Sequence, residues 1–138
     1  MDRLARIYAK RTVNVNVNIV TSGLLAMGLA IIPVHFTRYV GVAEGDHFTI
    51  AAVTFVSDVV FDVVIYYFLH WLANHRPNVP WRRHAEEHNL HLTYFRDATM
   101  VQAERLVLAP VYYGAAAFVL WKLLSMGYDR EWAALGAL

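Results

Sequence analysis

The chain has 138 residues, of which 58% are hydrophobic and 17% are charged, and it contains no cysteine. A soluble domain has about 45–50% apolar and about 25% charged residues, so this composition indicates a multi-span membrane protein, with residues 1–138 as a single domain. The lack of cysteine excludes disulfides, thiolate metal sites and iron–sulfur clusters, and the net charge of +1 gives no support to nucleic-acid binding.

Three apolar segments are long enough to cross the roughly 30 Å hydrocarbon core of a bilayer. They run from about residue 15 to 36, from 48 to 73 and from 106 to 126. The first follows a basic leader, but no small-x-small cleavage site follows it, so we interpret it as a retained anchor. Residues 75–102 are too polar to cross, and residues 131–138 are predicted to form a short interfacial helix. The predicted fold is all-α and integral to the membrane, with three transmembrane helices.

Basic residues alternate between the ends of these spans. Four precede the first span and four lie in residues 75–102, whereas residues 37–47 contain only Arg38. Positive residues favour the cytoplasmic side of short loops. We therefore expect a cytoplasmic amino terminus, a cytoplasmic-side helix between the second and third spans, and an outside carboxyl terminus, most simply in the cell inner membrane.

Two stripes of polar side chains follow the first and second spans with a spacing of four residues, so each stripe occupies one helix face. The stripes consist of Asn14, Asn18 and Ser22 in the first span and Thr54, Asp58, Asp62 and Tyr66 in the second. An ionisable group near the middle of a span costs roughly 2.5–3.5 kcal/mol to insert and almost always has a partner or a task. We expect the stripes to face each other, because helices in lipid associate through side-chain hydrogen bonds.

Three interpretations of the aspartates remain open at this stage. They could belong to a hydrogen-bonded packing seam in which one or both carry a proton, to a path for an ion, a proton or a substrate, or to a contact with a partner subunit. The third span adds a packing signal of its own. Residues 114–117 are Gly-Ala-Ala-Ala, which let another backbone approach closely, and Pro110 is expected to kink the entry of that helix.

Histidines form the densest chemical pattern, because five of the seven fall between His70 and His91. On a helix, His84, His88 and His91 would share one face, and imidazoles one turn apart can bind a metal ion together. The candidate ligands are His70, His75, His84, Glu87, His88 and His91. The ion would be a divalent metal such as iron or zinc, although the same cluster also fits an interfacial helix that contacts headgroups or a partner.

The spacing of His84 and His88 resembles the HxxxH box of membrane fatty-acid desaturases and hydroxylases. In that family such boxes lie just beyond the spans on the cytosolic side and together hold two irons. His88 and His91 have the spacing of the HxxHH box, but position 92 is leucine, and His70 and His75 are one residue further apart than HxxxH. The resemblance covers about eight residues, and it implies an oxidative reaction on a lipid-like substrate.

No motif for nucleotide binding, for a hydrolase nucleophile or for a zinc protease occurs in the chain. The sequence favours a non-catalytic accessory or assembly subunit, or a homo-oligomer, surrounded by lipid and joined to other membrane subunits or to itself. No catalytic residue is assigned in that interpretation. The alternatives are a metal-dependent membrane oxidoreductase that uses the histidine cluster and a small carrier or channel that uses Asp58 and Asp62.

Overall fold

Four helices account for the regular structure in the part of the chain that the computed structural model describes, namely residues 7, 11–74 and 94–138. They are α1 (Arg11–Phe36), α2 (His47–Asn74), α3 (Tyr94–Ser125) and α4 (Arg130–Ala137). Three of them contain a segment long and apolar enough to cross a membrane, at residues 13–36, 47–73 and 98–125. The fold is therefore all-helical, with three long apolar helices and one short helix.

The three long helices run antiparallel to their neighbours in the chain. Ser22 of α1 meets Asp62 of α2, while Val34 and Ile50, which flank the connecting loop, share one apolar cluster. The ends of the bundle are distinct, and we call the one formed by residues 34–50 and 120–138 the loop end.

Helix α3 packs against α2 in the reverse direction. Tyr67 contacts Thr99 through their hydroxyls at 2.7 Å, and Asp58 contacts Tyr113, so rising numbers in α2 meet falling numbers in α3. Helix α3 is longer than expected, because it begins at Tyr94 rather than near Leu106. The charges at the polar start of α3 lower the local hydropathy, so the sequence predicts a span that begins only near Leu106. One of these charges, that of Arg105, is neutralised by Asp62 of α2. The helix continues through Pro110.

Two apolar clusters lie at opposite ends of the bundle. Between them is a layer of polar side chains, which we call the polar layer and which consists of Ser22, Asp58, Asp62, Arg105 and Tyr113. At the loop end, all four helices contribute to a cluster whose buried members are Val34, Ile50, Leu120, Leu124, Ala133 and Ala134. At the other end, Tyr66 packs with Ala98 and Val101, with Val15 and Ile19 of α1 beside them. The aspartates of α2 fall between these two clusters in sequence and in space.

The turn from α3 into α4 uses a glycine-dependent helix end. Gly127 has a φ of 84°, the left-handed conformation that glycine adopts without a steric penalty. The Tyr128 N–H donates to the Leu123 carbonyl at 3.2 Å and the Gly127 N–H donates to the Leu124 carbonyl at 3.0 Å. This pair of bonds is a Schellman motif, which satisfies the last carbonyls of α3 and redirects the chain. Helix α4 then folds back across the loop end. It is the short C-terminal helix that the sequence predicts.

Candidate functional site

Asp62 joins the three long helices at one carboxylate. The Ser22 hydroxyl of α1 donates to Oδ1 of Asp62 at 2.6 Å, and Nη1 of Arg105 in α3 lies 2.6 Å from Oδ2. The Asp62 side chain is 11% exposed, whereas the Arg105 side chain is 31% exposed. A charged group inside an apolar span needs such a partner, and here the partner comes from a different helix. The ion pair therefore fixes the position of α3 on the α1–α2 pair.

Asp58 lies one helical turn from Asp62 and has a neutral partner. The Tyr113 hydroxyl donates to its Oδ2 at 2.7 Å, and the Tyr113 ring packs against Phe55 with a centroid distance of 5.5 Å. Asp58 is only 7% exposed. This bond lies on the loop-end side of the Asp62–Arg105 pair. Together with the Tyr67–Thr99 contact, the two bonds of the aspartates set the relative register of α2 and α3.

The remaining members of the predicted stripes are also buried and engaged. Asn18 donates to Asn14 at 3.1 Å within α1, and Thr54 donates to the Ile50 carbonyl at 2.8 Å within α2. Tyr66 stacks on His70 with a centroid distance of 5.8 Å and an interplanar angle of 21°. The structure thus brings Ser22 and Asp62 together across the helices. Asn14, Asn18 and Thr54 each have at least one partner on their own helix.

Arg105 and Tyr113 complete this site, and the sequence reasoning missed both. Neither residue belongs to the polar stripes that the sequence predicts for the first two spans. A usable signal was present for Arg105, because two intramembrane carboxylates demand a cation and Arg105 directly precedes the predicted third span, at the end that an antiparallel helix would bring near Asp62. Nothing in the sequence selects Tyr113 over its neighbour Tyr112.

The histidine cluster cannot be placed, because His75, His84, Glu87, His88 and His91 lie outside the described residues. Of the predicted ligands only His70 is located, and it is 2% exposed. Among residues 11–74 and 94–138, no group of three or more histidine, aspartate or glutamate side chains is arranged to hold a metal ion. The metal site therefore stays a prediction.

A second polar cluster ties α4 to the loop end of the bundle. Arg130 is 4% exposed, and it donates to the Thr37 hydroxyl at 2.6 Å and to the Val42 carbonyl at 3.4 Å. The neighbouring Glu131 lies 2.9 Å from Nδ1 of His35 and 2.7 Å from Nη2 of Arg38. Helix α4 is consequently held to the end of α1 and to the loop by hydrogen bonds and by ion pairs.

The Glu131 carboxyl makes the attachment of α4 depend on pH, so that the attachment is stronger near neutral pH than in acid. Burial alone would raise the pKa of the Glu131 carboxyl, but the hydrogen bond from His35, the bond from its own backbone N–H and the charge of Arg38 together lower it below 4.5. A carboxyl whose pKa is lowered by folding stabilises the folded state above its unfolded pKa, and this contribution is lost as the pH falls through the folded value.

We expect the attachment of α4 to weaken below about pH 4.5. Replacing Glu131 with glutamine should remove this acid dependence and cost about 0.5–1 kcal/mol near neutral pH, because the pairs are partly exposed to solvent. Amide hydrogen exchange of α4, corrected for intrinsic rates, measures both effects. An unchanged acid response in Glu131→Gln would assign the effect to another group.

The comparisons with known proteins add no family to this geometry. No protein-family model matches the chain, and no curated protein or solved structure is significantly similar to it.

Proposed function

We propose that this protein is a small non-catalytic membrane subunit that assembles with copies of itself or with other membrane subunits. The observation that supports this proposal is that α3 is held by polar contacts on one side while most of its apolar surface is uncovered. Arg105 and Tyr113 of α3 contact the aspartates of α2. In the most apolar stretch of α3, however, only 11% of the residues are buried. The polar contacts hold α3 in place and leave most of its apolar surface available for contact with another protein or with lipid.

The proposal includes an orientation in the cell inner membrane. The excess of basic residues before α1 and in residues 75–102 favours the cytoplasmic side for those segments, which puts the loop end and α4 on the outer side. A cysteine introduced at Ala43 in the loop should then react with a membrane-impermeant thiol reagent added from outside. Reaction from the cytoplasmic side alone would contradict the orientation.

The small residues of α3 provide the contact that we assign to assembly. Gly114 and Ala115 are exposed, and a side-chain carbon added at Gly114 would meet no atom within 4 Å. Small residues on an exposed helix face allow a second helix to approach closely enough for good van der Waals packing in lipid. A second copy of this chain is the simplest partner, and its α3 would pack at this point.

Replacing Gly114 with leucine should abolish or strongly reduce self-association, because the larger side chain separates the helix backbones. The matched control is Gly28→Leu in α1, since Gly28 is also exposed and also has no atom near an added side-chain carbon. The two variants gain the same helix propensity. The measurement is energy transfer between labelled copies in lipid vesicles as a function of protein density.

Self-association of the Gly28→Leu variant shows whether a loss in Gly114→Leu is specific to position 114. Equal association of the two variants would place the contact elsewhere than Gly114. A wild-type protein that stays monomeric at all densities would contradict self-assembly, and a subunit of another complex would then be the remaining form of the proposal.

One observation favours a second candidate, a small carrier that uses the aspartates. Asp58 and Asp62 lie in the span of α2, one turn apart, with partners from two other helices. A carrier would require that these partners exchange during transport. Loss of flux in Asp62→Asn with folding and assembly intact would favour the carrier. The metal-dependent oxidoreductase rests on the candidate ligands His70, His75, His84, Glu87, His88 and His91, and metal analysis of the purified protein tests it directly.

A further inference from the structure

The polar layer contains an imbalance of charge. Two aspartates, Asp58 and Asp62, face one arginine, Arg105, and Arg105 is bonded to Asp62 at 2.6 Å. Asp62 also accepts a hydrogen bond from Ser22, so both of its oxygens have a donor. If Asp58 were also ionised, the layer would carry one uncompensated negative charge inside the apolar part of the bundle, which is costly.

Asp58 has the surroundings of a neutral carboxylic acid. The Tyr113 hydroxyl donates a hydrogen bond to Oδ2 of Asp58 at 2.7 Å. No donor among residues 11–74 and 94–138 reaches the other carboxyl oxygen of Asp58, Oδ1. The residue is buried, at 7% exposed. An oxygen that carries a proton in this place costs far less than an oxygen that carries a charge without a donor.

In the part of the chain that the structure describes, no other titratable group close to Asp58 can supply the missing positive charge. Helix α1 has no titratable side chain between Arg11 and His35. Helix α3 faces Asp58 with Tyr113 and with the neighbouring Tyr112 and Arg105, and α2 adds only Asp62 on this part of its face. In α4, Arg130 is bonded to Thr37 and Val42, and Glu131 is bonded to His35 and Arg38.

We propose that Asp58 is a binding site for one proton, while Asp62 remains ionised as the counter-ion of Arg105. Binding forms one O–H bond on the Asp58 carboxylate and changes the layer from a net charge of −1 to a net charge of zero. The two carboxylates thus have different roles although they lie one turn apart on the same helix. This inference does not depend on assembly, because every group that it uses belongs to one copy of the chain.

Infrared difference spectroscopy tests the proposal directly, because a protonated carboxylic acid has a carbonyl stretch that an ionised carboxylate lacks. The sample is the full chain at neutral pH in a detergent without ester groups, with and without 13C-labelled aspartate. We expect one aspartic acid band per chain in the wild type. That band should be absent in Asp58→Asn, and no acid band in the wild type would overturn the proposal.

Two conservative variants assign the proton to one of the two aspartates. Tyr113→Phe removes the donor of Asp58 and should shift the frequency of the band, whereas Ser22→Ala removes a donor of Asp62 and should leave the band in place. The opposite result would place the proton on Asp62 and overturn the assignment. Each variant removes a single hydroxyl, and circular dichroism checks that its helix content is retained.

The charge count gives a further expectation for Arg105→Gln. Without the arginine both aspartates need a proton, so the acid signal should double. An unchanged signal would mean that Arg105 does not set the protonation of the layer. Titration of the wild type with sodium chloride shows whether Asp58 binds a proton or a small cation. The acid band should keep its intensity as sodium rises. A loss of intensity would show that Asp58 belongs to a cation site instead.

Discussion

Replacing Arg105 with glutamine should destabilise the protein by roughly 3 kcal/mol. This is the lower end of the cost of breaking a buried ion pair, because the Arg105 side chain is 31% exposed. The change leaves Asp62 with the Ser22 hydroxyl as its donor and removes the ion pair between α2 and α3. Asp62 can recover part of the cost by taking up a proton, so the loss should grow as the pH rises. The measurement is unfolding in mixed micelles at several pH values.

The double variant Arg105→Gln, Asp62→Asn separates the interaction from the loss of either side chain. Two neutral amides can bond to each other, and no uncompensated charge remains, so the double variant should be more stable than Arg105→Gln alone. The control is Arg96→Gln, which makes the same change at an exposed position on the same helix and should alter stability by less than about 0.5 kcal/mol. Equal losses at positions 96 and 105 would show that the pair contributes nothing specific.

The existence and type of the long helices could be predicted from sequence because they depend on runs of apolar residues, a signal that each segment carries by itself. The boundary of α3 could not be predicted in the same way. Residues 94–105 contain Arg96, Asp97, Glu104 and Arg105, which depress the local hydropathy. The helix nevertheless begins at Tyr94, because backbone hydrogen bonding does not require an apolar surface and the charge of Arg105 is neutralised by Asp62.

The polar layer was half predictable for a related reason. The spacing of four places Asp58 and Asp62 on one face of α2, and the cost of charge in a span predicts that they have partners. The identity of those partners depends on how α3 is placed beside α2, which is a property of the tertiary packing. Ser22 was among the expected residues. Arg105 and Tyr113 are eight residues apart on α3 with Ala109 between them, so no stripe of polar residues at intervals of four marks that face in the sequence.

The position of Arg130 was even harder to predict from sequence, because its surroundings are opposite to what its residue type suggests. A lone arginine after the third span is expected at the surface, yet Arg130 is 4% exposed at the first residue of α4. Its partners are a hydroxyl and a carbonyl group from the loop between α1 and α2. The loop has no regular structure, so no sequence pattern could bring Thr37 and Val42 to this side chain.

Replacing Arg130 with methionine should release α4 from the loop end at a cost of roughly 2–3 kcal/mol. Methionine keeps much of the length and the apolar stem of the side chain but removes every donor, and hydrogen bonds to charged groups contribute about 1.5–3 kcal/mol. The Thr37 hydroxyl and the Val42 carbonyl would lose the arginine in a place that is shielded from water. Amide hydrogen exchange in α4 should accelerate by about 30- to 150-fold, the equivalent of that free energy.

The comparison for this prediction is Arg38→Met, which removes the ion pairs to Glu131 and Asp129. The Arg38 side chain is 39% exposed, and ion pairs of this kind contribute less than about 1 kcal/mol. We therefore expect the exchange of α4 to rise no more than about fivefold in Arg38→Met. If the two arginine variants accelerate exchange equally, burial of Arg130 is not what attaches α4. If neither does, the attachment rests on the apolar packing of Ala133 and Ala134 against Leu120 and Leu124.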